Sequence, residues 1–169
     1  HSLRRRQRQM CIRDRYRKGE DNNMKKNGLL HSELMKAITA ARHHDTIIIC
    51  DVGMPVPDGC NYIDLALVRG LPSLPQVLKA VLNEMVIERY EIFDLMPQYN
   101  PEMYARLQAM MPNVTGGLIS QENLIDKMKT SKAVIRTAEY GSCCNMILYS
   151  ASGLDGPAAR YDVSFDTVF

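Results

Sequence analysis

The chain reads as a single α/β domain of three layers, with helices on both faces of a sheet. Three observations carry this. Short runs rich in β-branched residues alternate along the chain with segments whose apolar residues recur at helical spacing. The clearest run, Thr46-Ile47-Ile48-Ile49-Cys50, has the composition of a strand covered on both faces, ended by Gly53, Pro55 and Pro57. With 169 residues there is enough chain for one domain with a proper core and too little for two comfortable ones.

Taken in order, residues 1–23 (HSLRRRQRQMCIRDRYRKGEDNN) show no apolar periodicity and are expected to be disordered. They are either a basic arm for an anionic partner, or a tag or wrongly extended start, since Met24-Lys25-Lys26 makes a natural beginning. Ser32 is a plausible N-cap for a helix through about Arg42, with Leu34, Met35, Ile38 and Ala41 on its apolar face. That helix delivers His43 and His44 at its C-terminus, where the dipole favours a protonated imidazole. After the first strand, Tyr62–Val68 alternates well enough for a second strand or an extended segment. Ser73 caps a helix carrying Leu74, Val77, Leu78, Val81, Leu82 and Met85, with Pro75 in its first turn. Ile87–Leu95 is the next strand. Asn100-Pro101-Glu102 opens a helix that runs to about Met111 and is stopped by Pro112. Residues 113–118 are turn-rich. Ser120 can cap a helix through about Thr130, Ala133–Thr137 is a strand, and Asn145–Tyr149 is the last. The tail from Gly153 onward is loop-like, and VSFDTVF could add a short edge strand. The eleven methionines are read as core filler.

Charge and motifs exclude several functions. Seven arginines fall within the first 17 residues, so the remainder is acidic on balance, which argues against nucleic acid as a partner of the folded part. No apolar run approaches the roughly 18 residues of a membrane span, and the N-terminus lacks a signal-peptide core, so a cytoplasmic protein is expected. The five cysteines are odd in number and lack CxxC spacing, so neither a disulfide framework nor a zinc site is expected. There is no GxGxxG, no GxxxxGK[ST] and no GxSxG.

The groups with chemistry flank the first strand. His43, His44 and Asp45 precede it and Asp51 ends it, about 20 Å away at roughly 3.3 Å per residue. One chain therefore can hardly bring His43 and Asp51 together, whereas two neighbouring chains can. A metal at His43, His44, Asp45, Cys50 and Asp51 is not expected, because adjacent histidines at a helix end should diverge. General acid/base chemistry remains, with a histidine titrating near neutrality, a carboxylate to orient a hydroxyl, and the amide of Asn145; a merely solvated histidine is the alternative. Vicinal Cys143-Cys144 could be a redox pair, but its geometry favours two separate thiols.

From Met24 to about Leu154 the chain resembles the D-ribose pyranase and L-fucose mutarotase family, small enzymes that interconvert ring forms of free sugars. The resemblance is carried by MKKNGLLHSELM, HHDTIIICDVGMPVPDG, YIDLALVRGLPSLPQVLKAVLNEM, and AVIRTAE followed by Asn145 in NMILY. It implies an α/β/α domain over residues 24–154 with a central mixed sheet and a C-terminal extension at 155–169. It also implies a homo-oligomeric ring, decameric in many members, with sites between subunits, and a cofactor-independent isomerase. The family's proton donor falls on His43, and its sugar-binding aspartate on Asp51. Its aromatic-x-Asn segment falls on Cys143, Cys144 and Asn145, with Cys143 where tyrosine is expected. A sugar-contacting histidine falls on Gln121. CDVGMPVP, IDLAL and GLPS are closer to the ribose branch. L-fucose or another sugar, or a non-catalytic sugar-binding or transport-associated role, stay open alternatives, favoured by Cys143 and Gln121. No metal, nucleotide, nucleic acid or membrane is implied.

Overall fold

A computed structural model describes residues 28–152. The expectations for the basic segment 1–23 and for the tail from 155, including its edge strand, lie outside these residues. The first helix, α1 (Ser32–Ala40), leads into strand β1 (Thr46–Cys50) and then β2 (Tyr62–Asp64). Helix α2 (Leu74–Leu82) and strand β3 (Ile87–Phe93) follow. Next come α3 (Met96–Tyr99), α4 (Pro101–Met110), β4 (Thr115–Ile119) and α5 (Gln121–Met128), and the order closes with β5 (Ala133–Arg136) and β6 (Met146–Ser150).

The six strands lie in the order β2-β5-β1-β6-β3-β4. Five run in one direction and β6 alone runs against its neighbours β1 and β3. The sheet is therefore mixed, as expected, and covered on both faces. All five residues of β1 are buried. Ile47 and Ile49 face the cluster formed with α1, α2, α3 and α4, while Ile48 and Cys50 face Leu124 and Met128 of α5. The alternation of a strand thus gives each layer its own core, at about 1.5–3 kcal/mol per fully buried isoleucine. Methionines do fill it: Met85, Met96, Met111, Met128 and Met146 are all buried.

The capping signals hold at three helices. Asn100 accepts from the Met103 N–H at 3.2 Å, Ser120 from the Asn123 N–H at 3.4 Å, and Gln76 reaches back to the Ser73 N–H at 2.8 Å. At α1 the cap is His31, not Ser32: its Nδ1 accepts from the Leu34 N–H at 3.3 Å. This helix ends at Ala40 with an extended residue after it, so its last carbonyls are not what His43 faces. The 62–68 segment is a strand only as far as Asp64. Residues 113–118, read as turns, contain β4 instead. Its glycines suggested a turn, yet they are what the pairing with β3 demands. A Cβ on Gly116 would lie 2.7 Å from the ring of Tyr90, and one on Gly117 3.2 Å from Glu91 Cγ. The short α3 lacked a helical period long enough to read.

Candidate active site

Because β6 is antiparallel, its N-terminal end meets the C-terminal ends of β1 and β3, and residues far apart in sequence converge at the sheet's carbonyl edge. Asp51 follows β1 and Asn145 precedes β6. The Asn145 side chain, in a residue only 3% exposed, bonds twice to Asp51: its Oδ1 accepts the Asp51 N–H at 3.0 Å and its Nδ2 donates to Asp51 Oδ2 at 3.0 Å. The Cys144 N–H adds a third bond, to Oδ2 at 3.1 Å, and the Gly53 N–H a fourth, to Oδ1 at 3.0 Å. Burial pushes the Asp51 carboxyl above the ordinary carboxylate value, and N–H bonds from Gly53, Asn145, Cys144 and Met54 pull it only part of the way back. The result is a half-buried carboxylate whose orientation is fixed from four sides.

The loop between β5 and β6 is braced independently. Glu139 accepts through Oε1 from the N–H groups of Tyr140 (3.1 Å) and Gly141 (3.0 Å), and through Oε2 from Leu74 at the start of α2 (3.3 Å). Its carbonyl takes the Val52 N–H at 3.0 Å, which ties the loop to the Asp51 turn. A side chain at Gly141 would meet Asn100 Nδ2 at 2.7 Å and Cys144 Sγ at 2.9 Å. Cys143 sits at the tip with φ 61°, a left-handed conformation unusual for a residue with a Cβ. Neither cysteine is an activated thiol. Burial, Glu139 and Asp51 push Cys144 up to about 12 against the bond from Asn100, and burial with Asp51 and Asp94 raises Cys143. Both are free thiols, in line with the reading as two separate groups.

Gln121, the first residue of α5, is at the same edge but exposed. The strand order leaves it three strands from Asp51, roughly 14 Å at about 4.8 Å per strand. Within one chain it does not join the Asp51–Asn145 pair. An open cleft of about 550 Å³ borders its helix, lined by Arg89, Glu91, Ser120, Asn123, Lys127 and Tyr149 among others.

His43 lies at the opposite edge, before β1. Its Nε2 is 2.8 Å from Glu88 Oε2, and His44 Nδ1 is 2.6 Å from Glu88 Oε1. The expected divergence of the two histidines does not occur. His44 has φ 64°, which folds it back so that the rings stack with centroids 3.6 Å apart. Burial alone would raise the Glu88 carboxyl, but the bonds and charges of His43 and His44 hold it below the usual range. No local spacing records Glu88 beside His43, 45 positions away, or Glu139 bracing the loop next to Asp51, 88 positions away, and Asn100 reads in the sequence only as a helix cap. Asp45 is turned elsewhere, accepting from the Arg42 N–H at 2.7 Å and facing Lys132 Nζ at 3.3 Å.

The mixed α/β/α sheet carries an oriented carboxylate–carboxamide pair at one edge and the Glu88-bound imidazole of His43 at the other, groups of the types that acid/base chemistry on a small molecule uses. Residues 24–152 match the RbsD / FucU transport protein family. The chain is 41% identical over 127 residues to a D-ribose pyranase of Geobacillus thermodenitrificans, covering 75% of this chain and 96% of that protein. It is 40% identical over 127 residues to one of Coprothermobacter proteolyticus, again covering 75% of this chain and 97% of the relative. Bacillus subtilis RbsD, solved with D-ribose, superposes with a TM-score of 0.72 at 35% identity, over 76% of this chain and 98% of that one. A fucose mutarotase from Streptococcus pneumoniae shares the fold at a TM-score of 0.63 and 19% identity, over 72% and 93% of the two chains. The chain belongs to the RbsD/FucU family.

Proposed function

We propose that this protein is a cofactor-independent isomerase that interconverts the ring forms of a free monosaccharide, D-ribose before L-fucose. The observation that carries the reading is the Asp51 carboxylate, oriented by Asn145 at the carbonyl edge of a chain that matches D-ribose pyranases over nearly their whole length. Ring exchange needs the anomeric hydroxyl to lose a proton while the ring oxygen gains one, after which the open-chain aldehyde is closed by another hydroxyl. A single positioned acid/base supplies on the order of 10²–10⁴ in rate, enough for a reaction that already runs in water.

His43 takes the proton-transfer role. Glu88 occupies its Nε2, so Nδ1 is the nitrogen left to face the sugar. Asp51 accepts from a hydroxyl, and Asn145 keeps one N–H and one lone pair beyond its bonds to Asp51. Because β1 separates His43 from Asp51, the complete site takes the histidine of one copy and the aspartate of its neighbour in a ring of subunits, a decamer in the expected case. Gln121 and Cys143 then serve as contacts that tune which sugar fits. Four free thiols among the described residues are in keeping with a cytoplasmic setting.

The test is ribose ring exchange followed by NMR saturation transfer. His43→Ala should abolish the acceleration without unfolding the protein, and unchanged exchange would remove His43 from its role. Mixing His43→Ala with Asp51→Ala subunits tests the shared site directly. Random co-assembly restores one intact His43–Asp51 pair in roughly a quarter of sites if they lie between copies, and none if each site is built by one chain. Saturable ribose binding without faster exchange would instead favour a sugar-binding role, which Gln121 and Cys143 would suit.

A further inference from the structure

The convergence of His43, His44 and Glu88 goes further than acid/base chemistry requires. Two imidazole nitrogens and a carboxylate oxygen all lie within 4.8 Å of one another. Two histidines and one glutamate form a donor set that zinc uses in proteins, with Zn–N and Zn–O bonds of about 2.0–2.2 Å. Around a tetrahedral ion such donors stand roughly 3.3–3.5 Å apart, whereas the two bonds here are 2.8 and 2.6 Å. The two bonds run to different oxygens of Glu88, and the ring centroids, 3.6 Å apart, separate by roughly 1.5 Å when both nitrogens turn onto one tetrahedral ion, a swing these exposed side chains have room to make. Adjacent histidines seldom share a metal because their side chains point apart, and the left-handed backbone at His44 removes that obstacle. In the single chain the side chains of His43, His44 and Glu88 are 43%, 69% and 26% exposed, so an ion can enter and a water can hold the fourth position before a neighbouring copy or a sugar closes the site. Asp45 is not a competing ligand, since it is engaged by the Arg42 N–H and Lys132.

We propose that His43 Nε2, His44 Nδ1 and Glu88 form a site for a divalent transition-metal ion of the zinc class, and that the ion inhibits the protein. A metallated imidazole cannot take up a second proton, so an ion on Nε2 stops His43 from cycling between its two protonation states. Binding itself does not depend on the ribose reading; only the inhibition does.

The full chain, stripped with chelator, is titrated with Zn²⁺ by calorimetry, and Co²⁺ is used as a visible-absorption probe of tetrahedral coordination. The expected result is a Zn²⁺ site that His44→Ala and Glu88→Gln each weaken by at least about tenfold, with tetrahedral Co²⁺ bands lost in both variants. Absence of binding, or binding that survives both substitutions, would overturn the site. In the NMR experiment Zn²⁺ should stop ribose exchange and chelator restore it in the wild type, while His44→Ala keeps its exchange in Zn²⁺. Exchange undisturbed at saturating Zn²⁺ would overturn the inhibition. A protein that binds Zn²⁺ through these residues yet never accelerates exchange would retain the metal site and refute the isomerase reading instead.

Discussion

Truncating Asn145 to alanine tests whether the Asp51 carboxylate is held as described. Asn145 makes two bonds to Asp51, one neutral, from the Asp51 N–H to Oδ1, and one charge-assisted, from Nδ2 to Oδ2, both at 3.0 Å. A neutral bond contributes about 1 kcal/mol and one to a charged group about 1.5–3 kcal/mol, so Asn145→Ala should cost roughly 2–4 kcal/mol. In a chain of this size that lowers Tm by about 5–15 °C. Urea denaturation at fixed protein concentration reads the first figure and a thermal melt the second. Asn145→Asp sharpens the test, because it sets a second carboxylate about 3 Å from Asp51 Oδ2. Two carboxylates so close cannot both ionise, so the pair retains a proton and its upper pKa rises. A pKa raised in the folded state gives stability that is complete below the unfolded value of about 3.9 and is lost as pH climbs through the raised value. Asn145→Asp should therefore approach the wild type as pH falls from 8 towards 5. A loss below about 0.5 kcal/mol for Asn145→Ala, or an Asn145→Asp deficit that ignores pH, would refute the clamp.

Further outcomes concern packing and thiols. Gly116→Ala drives a methyl to 2.7 Å from the Tyr90 ring, which is only 5% exposed, and should cost about 1–3 kcal/mol in chemical denaturation. Combining it with Tyr90→Leu should cost less than the sum, whereas strict additivity would mean the two residues do not meet. Burial pushes the Cys50 and Cys144 thiols up to about 12, so among the described cysteines Cys60 should react first with iodoacetamide at pH 8. Peptide mapping would contradict this if Cys144 were alkylated as fast as Cys60 in the folded protein.

Local chemistry made most of the fold readable from sequence. Strand β1 announces itself through three consecutive isoleucines, and Asn100-Pro101 and Ser120 are caps whose bonding the structure reproduces. What failed was decided by partners distant in sequence. Gly116 and Gly117 look like turn residues until Tyr90 and Glu91 are laid beside them in register. At the candidate site, Asp51 stood out as the polar end of a buried strand and Asn145 as an amide before the last one, with the resemblance pointing to both, but their mutual bonds span 94 positions and no periodicity encodes them. Likewise His44 resembles any residue at a helix end. Its backward turn depends on the backbone of a strand more than a hundred residues later, whose Ser150 carbonyl accepts the His44 N–H at 3.0 Å.

That strand, β6, governs both edges. Were it parallel to β1, Asn145 would begin at the amino edge beside the histidines, and Asp51 would lose the amide that orients it. Running antiparallel, it pairs Ile49 with Met146 and Thr46 with Tyr149. Continued past the strand ends, that register sets Cys144 against Asp51 at the carbonyl edge, where the Cys144 N–H donates to Asp51 at 3.1 Å. At the other edge Ser150 bonds to both His44 and Asp45 through its backbone. One strand thus fixes the Asp51 carboxylate and the His43–His44–Glu88 cluster in a rigid relation, on opposite ends of one sheet. A chain so built presents each group at its own end of the sheet, which is why the proposed function, needing both, calls for the carbonyl edge of one copy against the amino edge of another.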